Sequence, residues 1–146
     1  MATLFGDTTA YTGDNDTQNA NVLVFQNRTF LATAGTVTSV YLYLRGHAGG
    51  NVRVTIHASD GTIITNGISN GVSLDYEESY HWQQFTFPTN PTVTASNYYL
   101  AYITDTNNAC YTGLDTSTGT GRYGSDSSGT YASPPAISDP SVIDYA

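Results

Sequence analysis

The feature that most constrains this chain is a two-residue alternation of apolar and polar side chains. It is clear in Val40-Tyr41-Leu42-Tyr43-Leu44 and again in Val52-Arg53-Val54-Thr55-Ile56-His57. Apolar residues do not recur at helical spacing for more than one turn anywhere in the chain. Because successive side chains of a strand point to opposite faces, this period indicates strands with one buried face. The chain is therefore expected to be all-β.

Nine segments fit the alternation, and clusters of Gly, Asn, Asp and Pro that are typical of turns separate them. They are residues 3–5, 22–31, 36–45, 51–58, 62–65, 71–75, 80–88, 97–104 and 141–145. Short strands at this spacing predict an antiparallel β-sandwich of the jelly-roll type. The 146 residues show neither an internal repeat nor a linker, so residues 1–146 are expected to form a single domain.

Two stretches, 6–20 and 105–140, interrupt the alternation. The second is rich in Gly, Ser and Thr, and a segment of this length without strands is typical of a functional or mobile loop. Tyrosines set among Gly and Ser are also typical of recognition loops. Arg122 and Tyr123 are the residues of this loop that we predict to contact a ligand.

The charge balance and the hydropathy pattern exclude two classes of partner. Twelve acidic residues, four arginines and no lysine give a formal net charge of −8. Nucleic-acid affinity depends on many basic contacts to phosphate, so nucleic acid is not an expected partner. No apolar segment approaches the roughly 20 residues that cross a bilayer, so a membrane is not expected either.

The low content of charged residues, 11%, predicts the uncharged polar surface that is typical of extracellular β proteins. Residues 1–6 show neither the basic region nor the cleavage site of a secretion signal. Either the protein is made inside a cell, or a leader and neighbouring domains precede this piece. Cys110 is the only cysteine, so no disulfide forms within the chain, and a small buried residue is expected there.

The alternation divides three of the predicted strands into an inner and an outer set. In 36–45 the inner set includes Val40 and Leu44, and in 80–88 Phe85 and Phe87 mark the core side. The outer positions share aromatic, arginine, histidine and glutamine side chains: Tyr41, Tyr43, Arg45, Arg53, His57, Tyr80, Trp82 and Gln84.

A cluster of exposed aromatic rings usually marks a binding surface. The C–H face of a sugar ring stacks on Tyr and Trp, and its hydroxyls need hydrogen-bond partners, which the Arg, His and Gln side chains of this set would supply. Arg also matches the carboxylate of a uronic acid. The outer set therefore predicts a carbohydrate-binding sheet face. The alternative is that outward tyrosines form cross-strand pairs that stabilise the sheet, or that a loop covers this face.

The segment 7–19 concentrates side-chain oxygens, and Ca²⁺ takes six to eight oxygen ligands from such loops. Asp7, Asp14 and Asp16 are the predicted ligands of a structural calcium ion. The residues of a complete calcium-binding loop motif are not all present, and turn-forming Asx residues explain the same composition.

Catalysis is not expected. A glycosidase needs two carboxylates across a cleft, whereas Asp75, Glu77 and Glu78 fall together in a predicted turn. The three histidines lack metal-ligand spacing, and His81 is in the inner set, where a buried histidine is expected.

Four segments between residues 30 and 104, about half of the chain, carry a resemblance to a known group of modules. They are Gly35-Thr36-Val37-Thr38-Ser39-Val40-Tyr41-Leu42-Tyr43-Leu44, Asn51-Val52-Arg53-Val54-Thr55-Ile56-His57 followed by Asp60-Gly61, Trp82-Gln83-Gln84-Phe85-Thr86-Phe87, and Tyr98-Tyr99-Leu100-Ala101. The pattern resembles the jelly-roll modules appended to secreted glycan-active enzymes and to phage or viral surface proteins.

The resemblance implies a carbohydrate-binding module, often with a structural calcium ion, that binds either on the concave sheet or at the edge loops. It also implies an extracellular, virion-surface or cell-surface module of a larger phage or bacterial protein. In many relatives the tryptophan at the position of Trp82 is structural. The alternative is a structural or adhesion domain that uses the same face for protein contact.

Overall fold

The computed structural model describes residues 13–14, 19–26, 29–114 and 123–138. These ranges contain strands and no helix, and hence no helix long and apolar enough to cross a membrane. The strands are β1 Gly13–Asp14, β2 Leu23–Gln26, β3 Phe30–Leu31, β4 Gly35–Thr36, β5 Ser39–Gly46, β6 Gly50–Ala58, β7 Ile63–Ile68, β8 Val72–Leu74, β9 His81–Thr86, β10 Thr92–Val93, β11 Asn97–Thr104, β12 Cys110–Leu114 and β13 Tyr123–Asp126.

The strands form two main antiparallel sheets. The four-stranded sheet has the order β1-β12-β5-β9. The seven-stranded sheet has the order β13-β2-β11-β6-β7, with β3 also paired to β11 and β8 to β6. A third, two-stranded pair joins β4 and β10. The predicted all-β, antiparallel architecture is confirmed.

One apolar cluster lies between the two main sheets. The four-stranded sheet contributes Leu44 and Phe85, each 0% exposed, and the seven-stranded sheet contributes Ile56 and Tyr102. Cys110 packs in the same cluster, and burial raises the pKa of its thiol to about 12. Two sheets that share one core are consistent with a β-sandwich.

The predicted strands agree with the structure where the alternation is strong. The bounds of β11 match the prediction, and those of β6 differ by one residue. The predicted strand 22–31 is instead two strands, β2 and β3. Segments 3–5 and 141–145 lie outside the described residues.

The prediction of one long loop over 105–140 is wrong, because β12 and β13 lie within it. Their sequences, Cys-Tyr-Thr-Gly-Leu and Tyr-Gly-Ser-Asp, are short and have no apolar alternation. These segments are strands because they pair with β5 and β2.

The segment 127–138, which follows β13, packs on the second face of the seven-stranded sheet. Ile137 forms a separate apolar cluster with Leu23, Phe25, Ala101 and Ile103, and Tyr131 packs against it. Both faces of β11 are therefore covered, which explains why apolar residues occupy odd and even positions of this strand alike. We call residues 127–138 the covering segment.

Asp126 fastens the covering segment near both of its ends. One carboxylate oxygen accepts hydrogen bonds from the Ser128 backbone N–H and hydroxyl, and the other accepts from the same two groups of Ser138. Burial raises the pKa of Asp126, but these four hydrogen bonds to the charged form outweigh burial and lower the pKa to about 2. The Ile137 N–H also donates to the carbonyl of Gly61, at 2.9 Å.

Candidate functional site

The outer positions predicted on two strands come together on the four-stranded sheet. β5 and β9 pair antiparallel with Tyr41 opposite Gln84 and Tyr43 opposite Trp82. Leu44 and Phe85, which point to the opposite face of these strands, enter the core. The predicted inner and outer faces of these two strands are therefore confirmed, apart from His81 at the start of β9.

The rings on this face contact one another. Tyr43 stacks on Tyr80 with a centroid distance of 5.5 Å and an interplanar angle of 21°. Tyr43 also contacts Trp82 at 5.1 Å and 51°. Tyr41 and Trp82 keep 44% and 39% of their surface exposed. Tyr43 thus packs between Tyr80 and Trp82, while Tyr41 and Trp82 expose ring area to solvent.

Arg45 continues this surface toward β12. Its guanidinium carbon lies 4.6 Å from the ring centroid of Tyr111 and 5.6 Å from that of Tyr80. Both distances are within the range of cation–π attraction. Arg45 and Tyr111 are also directly opposite in the β5–β12 register, so the strand pairing itself brings them together.

Three members of this surface were not among the predicted contacts. Tyr111 lies on β12, which the sequence pattern did not show. The ring of His47 lies 4.5 Å from that of Tyr111 and 6.5 Å from that of Tyr76, which is 64% exposed. His47 is in phase with Tyr43 and Arg45, so the alternation carried beyond residue 45 would have found it. We call the full set the aromatic row: Tyr41, Tyr43, Arg45, His47, Tyr76, Tyr80, Trp82, Gln84 and Tyr111.

The turn that holds Tyr76 is bonded directly to β5. The Gly46 N–H donates to Glu77 Oε2 at 2.8 Å, and the Glu77 N–H donates to the Gly46 carbonyl at 3.0 Å. A Cβ on Gly46 would lie 1.8 Å from the Asp75 carbonyl oxygen, so only glycine permits this close approach.

The prediction of a buried His81 is wrong. Its side chain is 40% exposed, and Nδ1 lies 3.5 Å from Glu77 Oε2. His81 is the first residue of β9, an edge strand of its sheet. At this position a side chain on the core-facing side of the strand can reach solvent beyond the core.

The structure does not bring Arg53 and His57 to the aromatic row. Both lie on β6 of the seven-stranded sheet, beneath the covering segment. The Arg53 guanidinium stacks on Tyr131 at 4.6 Å and donates to the Tyr131 carbonyl at 3.3 Å. Alternation assigns a face within one strand but does not identify the sheet to which that strand belongs.

The predicted exposure of His57 is wrong, because the side chain is 0% exposed. Nδ1 lies 2.9 Å from the Gly61 carbonyl and must donate to it, so Nε2 accepts from the Thr55 hydroxyl at 2.7 Å. Burial lowers the pKa of His57, and the hydrogen bond to Gly61 opposes this only partly. The buried ring is therefore held in its neutral form.

This burial predicts acid sensitivity. The unfolded chain binds a proton at His57 below about pH 6.5, whereas the folded chain resists it until its lowered pKa is reached. The stabilisation is thus present above pH 6.5 and is lost as the pH falls, by at most about 1.4 kcal/mol per pH unit. We expect Tm to fall between pH 7 and pH 5 in thermal melts.

His57→Gln is the matched variant, since its amide donates to Gly61 and accepts from Thr55 without titrating. Its Tm should vary less over this range than that of the parent protein. Equal pH slopes for the parent protein and His57→Gln would contradict the assignment.

The predicted calcium ligands fall largely outside the described residues. Asp7 and Asp16 lie there, and Asp14 lies in β1, opposite Gly113 of β12. Within the described ranges no group of three or more His, Cys, Asp or Glu side chains is arranged to hold a metal ion. Structural calcium stays a prediction.

The two loop contacts have different outcomes. Arg122 lies outside the described residues. Tyr123 begins β13 and pairs with Gln26 in the seven-stranded sheet. The strand of Tyr123 is thus not part of the sheet that carries the aromatic row.

The aromatic row combines exposed ring area with a guanidinium and an amide, a set suited to binding a ligand that has apolar faces and polar edges. The four residue-to-residue steps from Tyr41 to Arg45 extend about 13 Å along β5. No protein-family model matches this chain, and no curated protein or solved structure is significantly similar to it.

Proposed function

We propose that this chain is a non-catalytic carbohydrate-binding module that binds a polysaccharide or oligosaccharide on the aromatic row. The observation that carries the proposal is the contact between Tyr43, Tyr80 and Trp82 across two neighbouring strands. A single outward ring is common on a sheet. Here three rings in contact share a face with the exposed Tyr41, and such a cluster usually marks a binding surface.

The exposed rings would stack on the C–H faces of successive sugar units. The amide of Gln84, opposite Tyr41, and the guanidinium of Arg45 provide hydrogen bonds to ring hydroxyls at two points of the row. Affinity should be modest, because a few stacked rings and exposed hydrogen bonds must offset the cost of ordering both partners.

We further propose that the sandwich is a single jelly-roll domain and that calcium bound to Asp7, Asp14 and Asp16 stabilises it. The domain would belong to a larger protein, either an extracellular enzyme or a protein of the virion or cell surface. Neither nucleic acid nor a membrane is a partner in this proposal, and the chain has no catalytic activity of its own.

A structural or adhesion domain is the second candidate. The observation that favours it is the support that Tyr43 receives from two rings, because cross-strand aromatic pairs also stabilise a sheet without any ligand. In this case the exposed rings of Tyr41, Tyr76 and Trp82 would pack on a neighbouring protein subunit.

Affinity electrophoresis through gels that contain different polysaccharides tests the proposal. We expect retarded migration in at least one gel, a monomer by light scattering, and no release of reducing or unsaturated sugars. No retardation in any gel together with a dimer in solution would favour the second candidate. Release of sugar products would identify an enzyme and contradict the non-catalytic proposal.

A further inference from the structure

We infer that the ligand of the aromatic row is an uncharged polysaccharide, an inference that rests on the proposed function. The sequence admits two ligand types, since Arg45 can bind hydroxyls or a uronic-acid carboxylate. The placement of charged side chains around the row favours the neutral ligand over the acidic one.

An acidic turn lies at the end of the row that holds Arg45. The Asp75–Glu78 turn is hydrogen-bonded to Gly46, the residue after Arg45, and it leads directly into Tyr80. Asp75 and Glu78 are exposed, and Glu77 is half-buried. Among the described residues, the turn thus brings three negative groups to the end that holds one positive group, and the chain as a whole carries a formal charge of −8.

At the other end of the row, the residues that the structure describes offer no positive charge to a carboxylate. Tyr41, Trp82 and Gln84 are neutral. A carboxylate that packs against these rings would lose hydrating water, and no positive charge there would offset the free-energy cost. Arg53 cannot help, because it lies on the other sheet beneath Tyr131.

The regular spacing of carboxylates along an acidic polysaccharide also does not match the single guanidinium of the row. A polyuronate carries one carboxylate on each sugar, whereas the row extends over several sugars and has a single guanidinium. One carboxylate would meet Arg45, and its neighbours would meet uncharged rings or the acidic turn. Arg45, held against Tyr80 and Tyr111, thus acts as a flat donor to hydroxyls at one point of the row.

Matched polysaccharides that share a backbone test this inference. Affinity electrophoresis would compare hydroxyethylcellulose with carboxymethylcellulose, methyl-esterified polygalacturonate with polygalacturonate, and β-1,4-mannan with polymannuronate, each at 20 and 300 mM NaCl. We expect retardation by a neutral member. Any binding to its anionic counterpart should be at least about threefold weaker at low salt. The two affinities should be more nearly equal at high salt, where charges are screened.

Stronger binding to an anionic member at low salt would overturn the inference and leave the proposed function standing. No retardation by any member would overturn both.

A charge variant tests whether electrostatic repulsion, and not the shape of the polysaccharide chain, causes the preference for a neutral ligand. Asp75→Asn with Glu78→Gln removes two exposed carboxylates and should strengthen binding to the anionic member a few-fold without changing binding to the neutral member. Asp60→Asn, in the turn after β6 of the other sheet, is the control and should change neither. An unchanged anionic affinity in the double variant would contradict the electrostatic argument.

Discussion

Replacement of Trp82 by alanine should weaken polysaccharide binding about thirtyfold while lowering Tm by less than about 4 °C. The ring is 39% exposed and lies at the centre of the aromatic row, where it contacts Tyr43. If a sugar covers about 80 Å² of it, the lost contact corresponds to about 2 kcal/mol. The core lies on the opposite face of β9, so the free energy of unfolding should change little.

Two variants control this experiment, with titration calorimetry as the measurement. Trp82→Phe keeps a flat ring and should restore most of the affinity. Leu31→Ala removes an equally apolar side chain that is 71% exposed on β3, which pairs in the other sheet, and should leave affinity unchanged. A large fall in Tm with unchanged affinity in Trp82→Ala would mean that the ring is structural.

Gly61→Ala should have the largest effect on stability, with a loss of about 3 kcal/mol and a Tm lower by roughly 10 °C. Gly61 has a φ of +89°, which costs an L residue about 1–2 kcal/mol. A Cβ there would lie 2.1 Å from the carbonyl oxygen of Ile137, so the covering segment must also shift. The carbonyl of Gly61 accepts hydrogen bonds from Ile137 and His57, and both would be disturbed.

Gly49→Ala is the matched control, because it shares the strain but not the contact. Its φ is +78°, yet a Cβ there would have its nearest neighbour, the Leu74 carbonyl oxygen, at 3.5 Å. Urea unfolding should place Gly49→Ala about 1–2 kcal/mol below the parent protein and Gly61→Ala clearly lower. Equal losses would show that the covering segment does not depend on contact with Gly61.

The sequence pattern predicts this fold best where one face of a strand is buried and the other is wet. On β5 and β9 the alternation places Tyr43 and Trp82 outward and Leu44 and Phe85 inward, as the structure shows. Register then follows from pairing, which brings the two outward sets together. The local pattern was therefore sufficient to find the centre of the aromatic row.

The same reasoning failed on β6 for a physical reason. Arg53 and His57 alternate with apolar residues as outward residues do, yet a polar, Ser-rich segment distant in sequence covers them. Its contribution comes from two side chains, Tyr131 and Ile137, and from hydrogen bonds to Asp126, none of which forms a periodic pattern. Likewise Tyr111 joins the aromatic row only because β12 pairs with β5.

The intrinsic fluorescence of Trp82 reports on the environment of the aromatic row. It is the only tryptophan in the sequence, so emission excited at the red edge of the absorption band comes from this one indole. The ring lies in the aromatic row, with more than a third of its surface in water and Tyr43 alongside it. A change in the environment of that face can therefore be followed by fluorescence without a label.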